Sequence, residues 1–178
     1  MNPDSLSQMP LLSIVTWLPL AGALVLLFVP ATRVGTIKRI ANAWMLLAFA
    51  VSLPLLTYDR GAGGMQFVED AAWVPLIGAR YTLGVDGISV SLVLLTTLLG
   101  VIATASSWSS IAKREKEFYV FLPMLQTMML GVFCSLDLFL FYVFWEIALV
   151  PAYFIIGIWG GDGRLYAAIK FVLYALAG

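Results

Sequence analysis

A single carboxylate lies inside an apolar stretch that is long enough to cross a membrane. Glu146 is about ten residues into residues 136–159, which at 1.5 Å per helical residue puts it roughly 15 Å deep, near the midplane of a ~30 Å hydrocarbon core. A charged side chain there costs at least ~2.5–3.5 kcal/mol, so Glu146 must face protein or trapped water. Its type and depth predict a role in proton transfer. The alternative is a neutral glutamic acid that only joins helices by a hydrogen bond.

The residues around Glu146 on the same helix strengthen the first interpretation. At about 100° per residue, Tyr142 and Tyr153 share its face, and we expect that face to lie toward the helix bundle as a supporting polar surface. Pro151 has no N–H, so the carbonyl of Ile147 loses its helical donor. Pro151 therefore either provides a place for water or a hydroxyl beside Glu146, or only kinks the helix for packing.

Three further polar residues lie within or beside the apolar segments. Gln126 lies midway along its segment, where its amide either donates to Glu146 across a short turn or joins helices in general. Lys170 lies about six residues beyond Arg164, roughly 9 Å below the membrane surface. It is either a snorkelling anchor or a proton-relay group. Asp86 precedes an apolar run and predicts a helix N-cap, with an interface role as the alternative.

Composition assigns the chain to the polytopic membrane proteins. Of its 178 residues, 62% are hydrophobic and 11% charged, and its mean hydropathy is +0.98. The formal net charge is zero, so nothing suggests a nucleic-acid partner. One cysteine, Cys134, and no histidine leave no disulfide framework and no Cys/His metal site. No nucleophile arrangement or phosphate-binding loop is present either, so we expect no catalytic residue, metal or cofactor in this chain.

The fold class predicted is an all-α bundle of transmembrane helices forming a single domain over residues 1–178. Short connections make neighbouring helices antiparallel. The longer connection 59–87 contains two strand-like pieces, "QFVED" and "ARYTL", which predict a small hairpin at the membrane surface after the second span. Five complete spans are predicted at 11–29, 40–58, 88–108, 118–134 and 136–159, and a sixth, incomplete one at 165–178.

Basic residues predict the orientation of these spans. Most of them lie in the first, third and fifth connections (Arg33, Lys38, Arg39, Lys113, Arg114, Lys116 and Arg164), whereas the second and fourth connections hold only Arg60 and Arg80. Cytoplasmic loops are enriched in Lys and Arg, so the N-terminus is predicted on the periplasmic side. Residues 1–10 carry no basic residue, unlike a signal peptide, and we expect the first apolar segment to be retained.

Three stretches together resemble a known family. "LGVDGISVSLVLLTTLLGVIA" (83–103), "FLFYVFWEIALVPAYFIIGIWGG" (139–161) and "RLYAAIKFVLYALAG" (164–178) are similar to the antiporter-like M subunits of proton-pumping NADH–quinone oxidoreductase, respiratory complex I. The resemblance implies a subunit of about fourteen helices, in which a glutamate on the fifth helix pairs with a lysine on a broken seventh helix. It assigns the fifth-helix glutamate to Glu146 and a sixth-helix lysine to Lys170.

The resemblance also implies the partners of this chain, its membrane and the cofactors of the complex. The partners would be other membrane subunits, especially neighbouring antiporter-like ones, in the bacterial cytoplasmic (inner) membrane. NADH, FMN, iron–sulfur clusters and quinone would be held by other subunits of the complex. Because the sequence stops within the sixth span, we expect it to correspond to the N-terminal portion of such a subunit, either as one piece of a split or truncated subunit or as a partial sequence. On its own it should not pump protons. Two alternatives stay open: a subunit of a homologous multisubunit cation/proton antiporter or membrane-bound hydrogenase, and a structural membrane module that transports nothing.

Overall fold

The computed structural model of the protein describes residues 10–59, 61 and 63–178. Residues 1–9 and Arg60, which entered the predictions on the signal peptide and orientation, lie outside this description. The helices are α1 (Leu11–Phe28), α2 (Val34–Ser52, continued by a 3₁₀ turn at Leu53–Thr57), α3 (Gly87–Ser110), α4 (Glu115–Cys134), α5 (Leu138–Trp159) and α6 (Arg164–Ala177). Two strands, β1 (Gln66–Val74) and β2 (Ala79–Val85), lie between α2 and α3.

Five of the helices, α1 to α5, are long and apolar enough to cross a membrane. The predicted helical membrane bundle is therefore confirmed, and the protein is an integral membrane protein. The predicted bounds differ most at the starts of α2 and α4, where the helix includes charged residues that precede the apolar segment. Helix α2 begins at Val34 instead of residue 40 and includes Lys38, and α4 begins at Glu115 instead of residue 118.

Helix α4 lies at the centre of the bundle and contacts α1, α2, α3 and α5. The main buried cluster joins α1, α4, α5 and the hairpin through residues such as Val15, Leu83, Leu130 and Phe144. A second cluster closes the other end of the bundle around Tyr119. Helix α6 packs against α5. The position and orientation of α5 therefore depend on its contacts with α4 and with the hairpin.

The predicted hairpin is also confirmed. Strands β1 and β2 are antiparallel, with Asp70 opposite Thr82. Strand β2 continues onto the turn between α4 and α5, where the N–H of Leu136 donates to the carbonyl of Thr82 over 2.9 Å and Leu83 pairs with Ser135. The hairpin thus covers the end of the bundle where α1, α3 and α5 begin.

Basic side chains join the helices at the opposite end. The Nζ atom of Lys38 lies 2.6 Å from Glu115 Oε2 and 2.8 Å from the carbonyl oxygen of Trp108. Lys116 donates to the carbonyl of Leu27 over 2.8 Å. Both lysines thus bind free carbonyls in the last turns of α3 and α1, where a positive charge is favoured by the helix dipole.

Candidate functional site

Helix α5, which carries Glu146, is fixed at its start by an aspartate. Asp137 Oδ1 accepts hydrogen bonds from the N–H groups of Phe139 (2.9 Å) and Leu140 (3.0 Å). Its Oδ2 accepts one from the backbone N–H of Arg80 over 3.2 Å. These hydrogen bonds, first that of Leu140 and then that of Arg80, hold the pKa of Asp137 below its usual value. Asp137 therefore caps α5 and ties it to strand β2.

This cap sets the depth of Glu146. Because α5 begins at Leu138 and not at residue 136, Glu146 lies about 12 Å from the first residue of a helix about 33 Å long. Counted from the start of the helix, this distance replaces the predicted value of about 15 Å. The carboxylate still lies well inside the span, where a charged group without a partner is costly.

Helix α5 meets α4 through its apolar side. Leu140 and Phe144 are 3% and 2% exposed, and the Phe144 ring lies directly against Gly131 of α4, where any Cβ atom would overlap it. Tyr142, by contrast, is 54% exposed. The expectation that the polar face lies toward the bundle is therefore wrong for the described residues, because the fit of the Phe144 ring on glycine determines the rotation of the helix.

Glu146 consequently lies on the open side of α5. It is half-buried, and within the described part of the chain its carboxylate has no hydrogen-bond or ion-pair partner. Tyr153 is also half-buried and lines a groove between α5 and α6 together with Leu149 and Val172. The structure thus places the carboxylate on a face that is free to receive a further helix.

Pro151 is buried within α5 and does not end it, because the helix continues to Trp159. The carbonyl of Ile147, one residue beyond Glu146, therefore lacks the N–H donor of an ordinary helix at this point. This carbonyl can accept a hydrogen bond from water or from a hydroxyl group close to the carboxylate.

Lys170 is not brought to Glu146. It is exposed on α6, and its Nζ atom lies 4.6 Å from the ring centroid of Tyr166, one turn nearer the basic end of the bundle. The ammonium group thus lies over an aromatic ring on the side of the basic end, as expected for a lysine whose side chain extends toward the membrane surface at that end. Its part in a proton relay stays a prediction.

Gln126 also does not meet Glu146. Its carboxamide packs against Gly100 of α3, where the missing side chain leaves room for it, and it is 5% exposed. The hydrogen bond from Gln126 to Glu146, one of the two alternatives for this residue, is therefore absent from the described residues. Gln126 belongs to the interface of α3 and α4, while Glu146 lies on the far side of α5.

Capping residues complete the positioning of the helices. The predicted cap at Asp86 is confirmed: its Oδ1 accepts from the N–H of Ser89 over 2.7 Å, and this bond lowers the pKa of Asp86. The caps at Asp137 and Glu69 were not predicted. Asp137 precedes an apolar run directly, which is an ordinary N-cap signal. Glu69 caps α1 from strand β1, and no local pattern indicates such a distant contact.

Comparisons with known proteins agree with the resemblance seen in the sequence. Residues 135–178, which include Glu146, Pro151 and Lys170, match the family model described as "NADH:quinone oxidoreductase/Mrp antiporter, TM". The chain is 48% identical over 174 residues to "NADH-quinone oxidoreductase subunit M" of Rhodobacter capsulatus, covering 94% of this chain and 33% of that protein. It is 40% identical over 162 residues to "NADH-ubiquinone oxidoreductase chain 4" of Arabidopsis thaliana, covering 90% of this chain and 33% of that protein.

A solved structure is similar as well. A chain of "Respiratory complex I from Thermus thermophilus with bound NADH" matches with a TM-score of 0.76 and 28% identity, covering 95% of this chain and 33% of that chain. The protein thus spans about a third of the length of these relatives. The resemblance to the antiporter-like M subunits of NADH–quinone oxidoreductase is confirmed by these matches.

Proposed function

We propose that this chain forms part of an antiporter-like membrane subunit of a NADH–quinone oxidoreductase and contributes there to proton translocation coupled to quinone reduction. One observation carries the proposal beyond the similarity to relatives. Glu146 is a carboxylate inside the membrane span, without a partner among the described residues, on the open face of a helix that is held at its start and along its apolar side. Such intramembrane carboxylates mark proton pathways in transport proteins.

Coulomb's law explains how Glu146 would take up and release a proton. We propose that Glu146 pairs with an ammonium group on a helix outside these residues, as the family resemblance implies. At 4 Å and an effective dielectric constant of about 20, such a pair gains about 4 kcal/mol, and moving the ammonium to 8 Å removes about half of it. A conformational change elsewhere in the complex that separates the pair therefore favours protonation of Glu146, and its return favours release.

The surroundings of Glu146 support this role. Tyr142 and Tyr153 on the same helix face, and the carbonyl freed by Pro151, can orient water molecules between Glu146 and the membrane surface. Lys170 is proposed to continue the path toward the basic end of the bundle. The redox reaction itself, with NADH, FMN, iron–sulfur clusters and quinone, is assigned to other subunits, and neighbouring antiporter-like subunits are the proposed partners within the lipid bilayer.

The proposed orientation rests on the distribution of charge. Lys38, Lys113 and Lys116 lie at the end of the bundle opposite the hairpin. Under the positive-inside rule this end faces the cytoplasm of a bacterium, and α1 begins on the periplasmic side of its inner membrane.

The test is a Glu146→Gln substitution in the full subunit within the assembled complex. Proton uptake by membrane vesicles is measured together with the rate of NADH–quinone reduction. We expect the number of protons moved per NADH to fall substantially, because the neutral amide cannot take up or release a proton. Asp162→Asn, which neutralises an exposed acid in the α5–α6 loop, is the matched control and should pump normally.

Two outcomes separate the alternatives. Normal pumping by the assembled Glu146→Gln complex would show that this residue has only a structural role. Purification of the intact complex separates the remaining classes: flavin and iron–sulfur centres with NADH oxidation agree with the proposal, whereas a complex without redox centres would indicate a cation/proton antiporter.

A further inference from the structure

The side of α5 opposite Glu146 is held by two other helices. Phe144 lies two residues before Glu146, about 200° around the helix at 100° per residue, and is 2% exposed. Its ring lies directly against Gly131 of α4. The same ring contacts Trp17 of α1, with the ring centroids 5.6 Å apart and the ring planes inclined by 47°. Phe144 therefore fastens α5 to both α1 and α4.

A chain of hydrogen bonds from the hairpin fixes the orientation of Trp17. The Nε1–H group of Trp17 donates to the hydroxyl oxygen of Tyr81 over 2.9 Å, and the hydroxyls of Tyr81 and Ser13 lie 3.0 Å apart. Because Ser13 donates its own proton to Glu69 over 2.5 Å, Tyr81 is the donor to Ser13. Each bond in this chain polarises the next. Trp17 is 40% exposed, so the hydrogen bond restrains a ring that its neighbours do not enclose.

The rotation of α5 determines where the Glu146 carboxylate lies. Because Phe144 and Glu146 are on opposite sides of the helix, a rotation that moves the ring also moves the carboxylate. Side-chain ends lie about 5–6 Å from a helix axis, so a rotation of about 20° moves the carboxylate by about 2 Å. At an effective dielectric constant of about 20, a unit charge moved from about 4 Å to about 6 Å loses about a third of its attraction, which changes a protonation equilibrium about tenfold. Proton exchange at Glu146 therefore depends on the contacts of Phe144.

We propose that Trp17 and Tyr81 are positioning residues for Glu146. Trp17 holds the Phe144 ring and thereby fixes the rotation of α5, and Tyr81 holds Trp17 by its hydroxyl. Gly131 offers the Phe144 ring a surface without a side chain, so that contact alone does not stop the ring from sliding across α4. The contact with Trp17 supplies the missing restraint from α1. This inference rests on the proposed function of Glu146 in proton transfer.

Infrared difference spectroscopy of the assembled complex, NADH-reduced against oxidised, tests the role of Trp17. It detects the C=O stretch of acids that change protonation, and the Glu146 band is the one that Glu146→Gln removes. We expect Trp17→Ala to shift this band and to lower the number of protons moved per NADH, while assembly and NADH–quinone reduction are retained. Trp17→Phe keeps an aromatic ring against Phe144 and should shift the band less. Trp108→Ala is the matched control, because Trp108 is similarly exposed (45%) but lies on α3, and it should leave the band unchanged.

Tyr81→Phe tests the hydrogen bond separately and keeps every ring in place, so it decides the question if Trp17→Ala does not assemble. It should shift the Glu146 band, and adding Trp17→Phe should shift it little further, because both changes remove the same hydrogen bond. A band unchanged in Trp17→Ala would overturn the role of Trp17, and a band unchanged in Tyr81→Phe would overturn that of the hydrogen-bond chain. If Glu146→Gln removes no band at all, the proposed function of Glu146 fails, and the positioning role fails with it.

Discussion

The contact between the hairpin and the first helix allows a quantitative prediction. Glu69 of β1 accepts hydrogen bonds from the N–H groups of Leu12 (2.6 Å) and Ser13 (3.1 Å) and from the Ser13 hydroxyl (2.5 Å). The preceding residue, Pro10, provides no side-chain cap. Glu69 therefore satisfies two of the four backbone donors that the start of a helix leaves free.

Removing this cap with Glu69→Ala should cost about 2 kcal/mol of local stability, because the loss of an N-cap costs about 0.5–2 kcal/mol and a hydrogen bond to a charged group contributes about 1.5–3 kcal/mol. The cost should be local, because Tyr81 still bonds Ser13 (3.0 Å) and Trp17 (2.9 Å). Opening of the first turn of α1 should then increase about 30-fold.

Hydrogen–deuterium exchange of the intact complex in lipid nanodiscs measures this opening. Amides 12 and 13 should exchange about 30-fold faster in Glu69→Ala and by an intermediate factor in Glu69→Gln, which keeps one acceptor oxygen without the charge. Glu117→Ala is the control, since its pair with Arg114 at 3.2 Å is exposed at the other end and contributes at most about 1 kcal/mol. Equal exchange at amides 12 and 13 in the wild type and Glu69→Ala would refute the capping argument.

Two further predictions concern α5 and the hairpin. Gly131→Val should destabilise the folded subunit by about 1–3 kcal/mol, because the valine side chain would overlap the Phe144 ring. Thermal unfolding measures this loss, and adding Phe144→Ala should recover part of it. No recovery in the double variant would contradict the contact between Gly131 and Phe144. The guanidinium of Arg80 and the hydroxyl of Thr82 lower the pKa of Asp70 to about 2, so the stabilisation from this pair is present above the unfolded value of about 4 and is lost as the pH falls through about 2. Carboxyl chemical shifts should show Asp70 still ionised at pH 3, and a midpoint near 4 would contradict the pairing.

Much of the fold could be predicted from the sequence because a membrane permits few backbone structures. Long apolar segments must be helical in hydrocarbon, where every backbone group needs an internal partner. The cap at Asp86 was also predictable, since it depends on residues within one turn. The contact of Glu69 with α1 was not, because it joins residues 56 or 57 positions apart. No periodicity carries information on such a distant pair.

The rotation of α5 illustrates what residue types alone cannot determine. Its polar face was expected to lie toward the bundle, since polar groups avoid lipid. That rule identifies a face that needs protein contacts, but it does not say which helix provides them. The Phe144 ring fits on Gly131 of α4, and this contact turns Glu146 toward the open side. The rule and the observed rotation are compatible if a helix outside these residues covers that side.

Gln126 lies on a different side of α4 from the α5 contact. On α4, Gln126 and Gly131 are about 140° apart at 100° per residue, so the amide faces α3 while α5 packs on a different side. Two polar groups within the span therefore lack partners among the described residues: the Glu146 carboxylate on the open side of α5, and the Gln126 Nε2 donor enclosed between α3 and α4. Leaving either group unpaired in hydrocarbon costs free energy. The open side of α5 thus requires a further contact for Glu146, whereas the Gln126 donor is enclosed by α3 and α4 and is not accessible to a helix on the outer surface.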